Sequence, residues 1–125
     1  MAVKYSDRVE DTTTSVGTGN ITLANSPPTG RVSFNTAFGS GGIEAARFAY
    51  TIQSSDESEW ETGIGYLSAS TTLVRETVIG SSNSNNAVSF SAGTKKIFSP
   101  LLAYHAERLF NAGRSLMIAR GNFLQ

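Results

Sequence analysis

Asp56, Glu57, Glu59 and Glu61 fall close together at the head of the run "EWETGIGYLSASTTLVRETV". Two carboxylates facing each other across a cleft could serve as acid and nucleophile in glycoside hydrolysis, and a cage of such oxygens could hold calcium. The spacing speaks against both. In an extended chain Glu57, Glu59 and Glu61 share one side, as a solvated strand face does, and no EF-hand loop spacing surrounds them. His105 is the only histidine, and none of the many serines sits in a Gly-x-Ser-x-Gly elbow, so His105 reads as a structural or interface residue. The absence of cysteine excludes thiolate catalysis, disulfides and Cys-based zinc sites. "VGTGN" lacks the remainder of either glycine-rich phosphate motif and reads as a hairpin turn. "NIT" at 20–22 is a formal glycosylation sequon with no export signal beside it. The expectation is a non-enzyme with no cofactor and no metal.

The elements that position these residues are short β-rich runs separated by Gly, Ser, Asn and Pro clusters, about eight strands in all, the pattern of an all-β sandwich or barrel. Residues 7–14 form the first. Gly17 and Gly19 turn the chain with positive φ into "NITLA", and Pro27 and Pro28 break the ladder because they have no N–H to donate. "RVSFNTAF" alternates Val32, Phe34, Thr36 and Phe38 and predicts a strand. In "ARFAYTIQ", Phe48, Tyr50 and Ile52 share a side and predict a buried strand face.

Trp60, Ile64 and Tyr66 share a parity too, which assigns them to the core. Glu59, Glu61, Gly63 and Gly65 are then left on the outer face, where the glycines admit a neighbouring backbone or a large ring. Residues 71–79 return as the partner strand, with Leu73 or Val74, Val78 and Ile79 competing for the core. Arg75 on that strand is the expected ion-pair partner of Glu59 or Glu61. "GSSNSNN" is a loop, and "AVSF" and "KKIFSP" are two further short strands. From Leu101 to Arg120 the period becomes helical, with Leu102, Leu109 and Leu116 on one stripe beside Ala106 and Gly113, and a tail follows. The predicted class is mainly β: one antiparallel sandwich or barrel-like domain (7–100), preceded by an N-terminal arm (1–6) and followed by an amphipathic helix and tail (101–125).

With 125 residues the chain has room for one hydrophobic core. Ten Lys plus Arg balance ten Asp plus Glu, which gives no long-range attraction to nucleic acid or to an anionic membrane. The first residues lack the apolar core of a signal peptide, and no window reaches the length of a membrane span, so a soluble chain is expected.

The runs "DRVEDTTTSVGTGNITL", "WETGIGYLSASTTLVRETVIGSSNSN" and "VSFSAGTKKIFSP" resemble a small β-domain of tailed-bacteriophage virion structural proteins. The pattern shared is Asp-Arg-Val-x-x-Thr-Thr-Thr, Gly-Thr-Gly-x-x-x-Leu, Trp-Glu-x-Gly-x-Gly, Leu-x-Arg-x-Thr-Val and Val-x-Phe-x-x-Gly-Thr-Lys. These motifs fall in one order across about residues 7–100.

The resemblance implies a virion structural protein, made in the host cytoplasm and carried in the particle. Because the chain ends soon after the domain, it fits a capsid decoration (cement) protein better than a complete tail fibre, with a short tail or head–tail component as the alternative. The implied partners are the major capsid protein or other virion proteins, and further copies of itself, a trimer or dimer if the leucine stripe forms a coiled-coil seam. Tyr104, Phe110, Met117, Arg120, Phe123 and Leu124 are the expected interface residues, being apolar or of types enriched at interfaces. A carbohydrate-binding surface built on Trp60, Tyr66 and the glutamates is the rival from another class.

Overall fold

The computed structural model describes residues 3–100. Seven strands lie in one sheet: β1 (Val3–Lys4), β2 (Glu10–Thr13), β3 (Ile21–Thr22), β4 (Arg47–Ser54), β5 (Trp60–Ala69), β6 (Thr72–Ser81) and β7 (Lys95–Phe98). The hydrogen-bonded order is β2-β7-β4-β5-β6-β3, with every pair on that path antiparallel. A bridge between Thr13 and Leu23 brings the two ends of the path together, and the Ala24 amide donates to the Thr12 carbonyl at 2.9 Å. The sheet is thus a nearly closed barrel, which leaves little unpaired edge. The mainly β, barrel-like class read from the sequence is the class observed.

The barrel interior holds Val9, Ile21, Leu23, Phe48, Tyr50, Ile52, Leu67, Leu73, Val88, Phe90 and Ile97, all buried. Phe48, Tyr50 and Ile52 are fully buried, as their alternation on β4 predicts. Each large apolar side chain so removed from water contributes about 1.5–3 kcal/mol before the cost of ordering the chain.

Residues 31–38 depart from the strand expected of them. Phe34–Phe38 is a short helix, α1, whose N-cap Ser33 accepts a hydrogen bond from the Thr36 amide, and Gly39 at φ 77° ends it. Phe34 and Phe38 satisfy a period of two, but four apart they also share one face of a helix, and the Ser cap decides between the two. Phe38 stacks on Phe48 with ring centroids 4.4 Å apart, so α1 packs its aromatic face on the barrel core. "AVSF" is likewise no strand. Phe90 makes a single bridge to Gly17, while Val88 and Phe90 point into the core. Only Gly17 of the expected glycine pair has positive φ (81°).

Asp11 is a buried carboxylate with a structural task. It accepts from the amides of Thr12 (2.8 Å), Asn25 (2.8 Å) and Ser26 (3.2 Å). These bonds hold the turn ahead of Pro27, including Asn25 in a left-handed conformation at φ 57°. Asp11→Ala orphans those donors. The expected loss is about 2–3 kcal/mol, read as a fall in melting temperature on the order of 10 °C, with Asp11→Asn in between.

A second, smaller cluster lies on the outside of the barrel, where Ala49 and Ile64 are buried against Val3 and Ile79. Val3 belongs to β1, which runs parallel to β4 with Val3 opposite Arg47. Residues 3 and 4, part of the expected N-terminal arm, therefore add a strand to the chain's own sheet. The outgoing end is close by: the Ser99 hydroxyl donates to the Ala49 carbonyl at 2.7 Å. The predicted helix and tail, 101–125, lie outside the described residues.

Candidate functional site

The parity of β5 is the reverse of the one expected. Trp60 is 39% exposed and Tyr66 is half-buried, so neither is core; Ile64 is buried as expected, but in the outer cluster, so none of the three lines the barrel interior. The inward positions are Glu61, Gly63, Gly65 and Leu67, all buried. Two neighbours leave no room for side chains at 63 and 65. The carbonyl oxygens of Thr77 and Val74 on β6 would be the first atoms a Cβ met at Gly63 and Gly65, and Tyr50, directly across from Gly63 on β4, comes next, its hydroxyl 3.1 Å from a Cβ on Gly63 and its ring 3.4 Å from one on Gly65. The glycines do admit a large ring, but on the inner face.

Tyr50 reaches along β5 to Glu61, donating its hydroxyl proton to Oε2 at 2.5 Å. Glu61 Oε1 accepts from Arg75 Nη1 at 2.9 Å and from the Val88 amide at 2.8 Å. Arg75, opposite Gly65 on β6, then spends its other N–H groups on backbone carbonyls. Nε donates to Gly19 (3.0 Å), Nη1 also to Val88 (3.0 Å), and Nη2 to Gly17 (2.9 Å). The guanidinium lies 5.7 Å from the centre of the Phe90 ring. The Arg75 and Glu61 side chains are 3% and 0% exposed. A buried ion pair is tolerable when its remaining donors and acceptors are satisfied, and here four of the five guanidinium N–H groups and both Glu61 oxygens have partners.

This network ties four chain segments together: β4 through Tyr50, the β5–β6 hairpin, the 17–19 turn and the 88–90 segment. The ion pair expected between Arg75 and a glutamate across the hairpin is present, with Glu61, but that glutamate is buried instead of solvated. The facing of β5 explains the difference. Leu73 and Arg75, two apart, share a face and lie opposite the inward Leu67 and Gly65 with no register shift between the two pairs, so it is the inward turn of Glu61 that alternation alone does not select. The legible signal was Arg75 itself, a cation amid Leu73, Val74, Val78 and Ile79, with two glycines on the partner strand.

The other carboxylates of the opening cluster have local partners. Glu59 accepts from the Ser91 amide (3.0 Å) and hydroxyl (2.8 Å), and these bonds hold its carboxyl below the usual range. Asp56 accepts from the Ser58 amide and hydroxyl and from the Ser54 hydroxyl, which lowers its carboxyl to about 2. Among the described residues no group of three His, Cys, Asp or Glu could hold a metal ion. "VGTGN" presents carbonyls to Arg75 where a phosphate cradle would present amides. His105 and the expected interface residues Tyr104, Phe110, Met117, Arg120, Phe123 and Leu124 lie outside the described residues.

No protein-family model matches the chain, and comparisons with curated proteins and with solved structures returned no match.

Tyr50 supplies a pH test of the network. Burial, then the hydrogen bond to Glu61, push its phenol well above the ordinary value of 10.0. The folded state therefore favours the neutral phenol, and this contribution is fully present below pH 10 and is lost as pH rises beyond it, because the unfolded chain releases that proton first. Denaturant titrations at increasing pH are expected to show stability falling above pH 10. Tyr50→Phe, though less stable at neutral pH, should show a shallower fall.

Proposed function

We propose that the chain is a bacteriophage virion structural protein, most specifically a capsid decoration (cement) protein. The observation that carries the reading is where the motifs of the resemblance fall in the fold. Gly17, Gly19, Glu61, Gly63, Gly65, Arg75 and Val88 supply or surround the buried network, Asp11 caps the turn before Pro27, and Lys95 donates to the Ser15 and Gly93 carbonyls at 2.8 Å. These motif residues are scaffold residues, which is the pattern of a domain kept for its shape and its outer surface. β1 and Ser99 leave the barrel against the same strand, β4, so segments on both sides of the domain start from one place. In this reading residues 101–125 carry the anchors to the capsid lattice or to further copies.

Copy number per particle, measured by quantitative mass spectrometry of purified virions against the major capsid protein, tests it. Hundreds of copies are expected for a cement protein. Six, twelve or a few dozen would move it to the tail or the head–tail junction, and absence from virions would overturn the reading.

Exposure of Trp60 favours a second reading, a glycan-binding surface. The indole lies on the outer face beside Gly80, where an added Cβ would meet it at 3.6 Å, and the Asn85 amide oxygen is adjacent. An exposed aromatic ring next to amides suits sugar stacking. A glycan array distinguishes the readings: binding abolished by Trp60→Ala supports the glycan surface, and an array blank for both proteins removes it.

A further inference from the structure

A cleft of about 280 Å³ opens where the start of β2, the 30–31 turn and the end of β7 meet, lined by Arg8, Glu10, Arg31, Lys96, Phe98 and Ser99 among others. Three cations and one carboxylate face it, in a chain whose net charge is zero. Glu10 is engaged by Arg31 at 3.5 Å, and no ion pair is found for Arg8 or Lys96 among the described residues.

Arg8 is the informative residue. It holds a left-handed backbone, φ 61°, which glycine or asparagine adopts at less cost than arginine. Its carbonyl accepts from the Val32 amide at 2.8 Å, and its Nε donates to the Gly30 carbonyl at 2.7 Å. The guanidinium is therefore fixed in place while its terminal nitrogens remain available at the mouth of the cleft. Strained residues of this kind cluster at ligand clamps and other functional sites. The half-buried Phe98 ring adds an apolar patch beside the cations.

We infer that this cleft is a docking site for an acidic segment of a partner polypeptide, with Arg8 and Lys96 taking its carboxylates and Phe98 its aliphatic part. Planar guanidinium donors fixed by backbone contacts suit carboxylate recognition, and a protein without net charge has little general attraction for a polyanion such as DNA. The inference stands apart from the virion reading, since it depends only on the cleft.

The test uses fluorescence anisotropy of a labelled hexaglutamate peptide with the full chain at low salt, where charge contacts are least screened. Saturable binding is expected, weakened about tenfold by Arg8→Gly and by Lys96→Ala, and unchanged by Lys4→Ala, which removes a cation outside the cleft. Arg8→Gly suits the left-handed backbone and should melt within a few degrees of the parent, so lost binding would not reflect lost folding. No saturable binding, binding indifferent to Arg8→Gly and Lys96→Ala, or tighter binding of a labelled DNA duplex would each overturn the inference.

Discussion

Arg75→Met is expected to destabilise the barrel by about 3–5 kcal/mol, enough to unfold much of the protein, given that domains of this size are stable by roughly 5–15 kcal/mol. Methionine keeps most of the volume, so the effect is electrostatic and polar. Glu61 would remain fully buried with its charge uncompensated, keeping only the Tyr50 hydroxyl and the Val88 amide as donors. The carbonyls of Gly17 and Gly19 would lose Arg75 as well. Arg75→Lys should recover only part of the loss, because a single ammonium cannot span Glu61 and three carbonyls from one position. Urea unfolding of the single and double variants provides the check. Glu61→Gln combined with Arg75→Met should be less harmful than the sum of the two, since the stranded charge has gone. A strictly additive result would mean that the pair does not act as a unit.

Gly63→Ala is the second large effect. A Cβ there would lie 2.1 Å from the Thr77 carbonyl oxygen, a backbone atom on the paired strand, and 3.1 Å from the Tyr50 hydroxyl. No rotamer change relieves a clash with backbone, so the β5–β6 ladder must open at its centre and Tyr50 must move off Glu61. The expected loss is at or above the usual overpacking range, about 3 kcal/mol or more. Gly19→Ala is the control: no atom lies within 4 Å of its added Cβ and its φ is not in the left-handed region, so little change is expected. Thermal melts of the two variants side by side separate a close-approach glycine from an ordinary loop glycine.

Both predictions bear on what kind of protein this is. Glu61 and Arg75 carry the most deeply buried charges of the β5–β6 hairpin, and their hydrogen bonds are directed inward to the chain itself. The outward features are different residues: Trp60 on the sheet face, and Arg8 with Lys96 at the cleft. Surface variants at those positions should leave the melting temperature nearly unchanged, whereas network variants should not.

The sequence by itself determined the strand-rich class, the buried face of β4, the hairpin of β5 and β6, and the pairing of Arg75 with a nearby glutamate. Turn residues and period-two alternation are local signals, and they survive into the fold because each strand must bury one side whatever its neighbours are. Which side was decided only in three dimensions. Alternation separates Trp60, Ile64 and Tyr66 from Glu61, Gly63 and Gly65 but does not label one set as inner. The Tyr50 ring on one neighbouring strand and the Thr77 and Val74 carbonyls on the other leave no room for side chains at 63 and 65, and Arg75, opposite Gly65, faces the same interior. Residues 34–38, expected as strand, are helix for a related reason: two phenylalanines four apart fit either period, and the cap at Ser33 together with stacking on Phe48 chose the helix. Charge burial was the least legible, because a carboxylate looks solvated in sequence until the donors from residues 50, 75 and 88 converge on it.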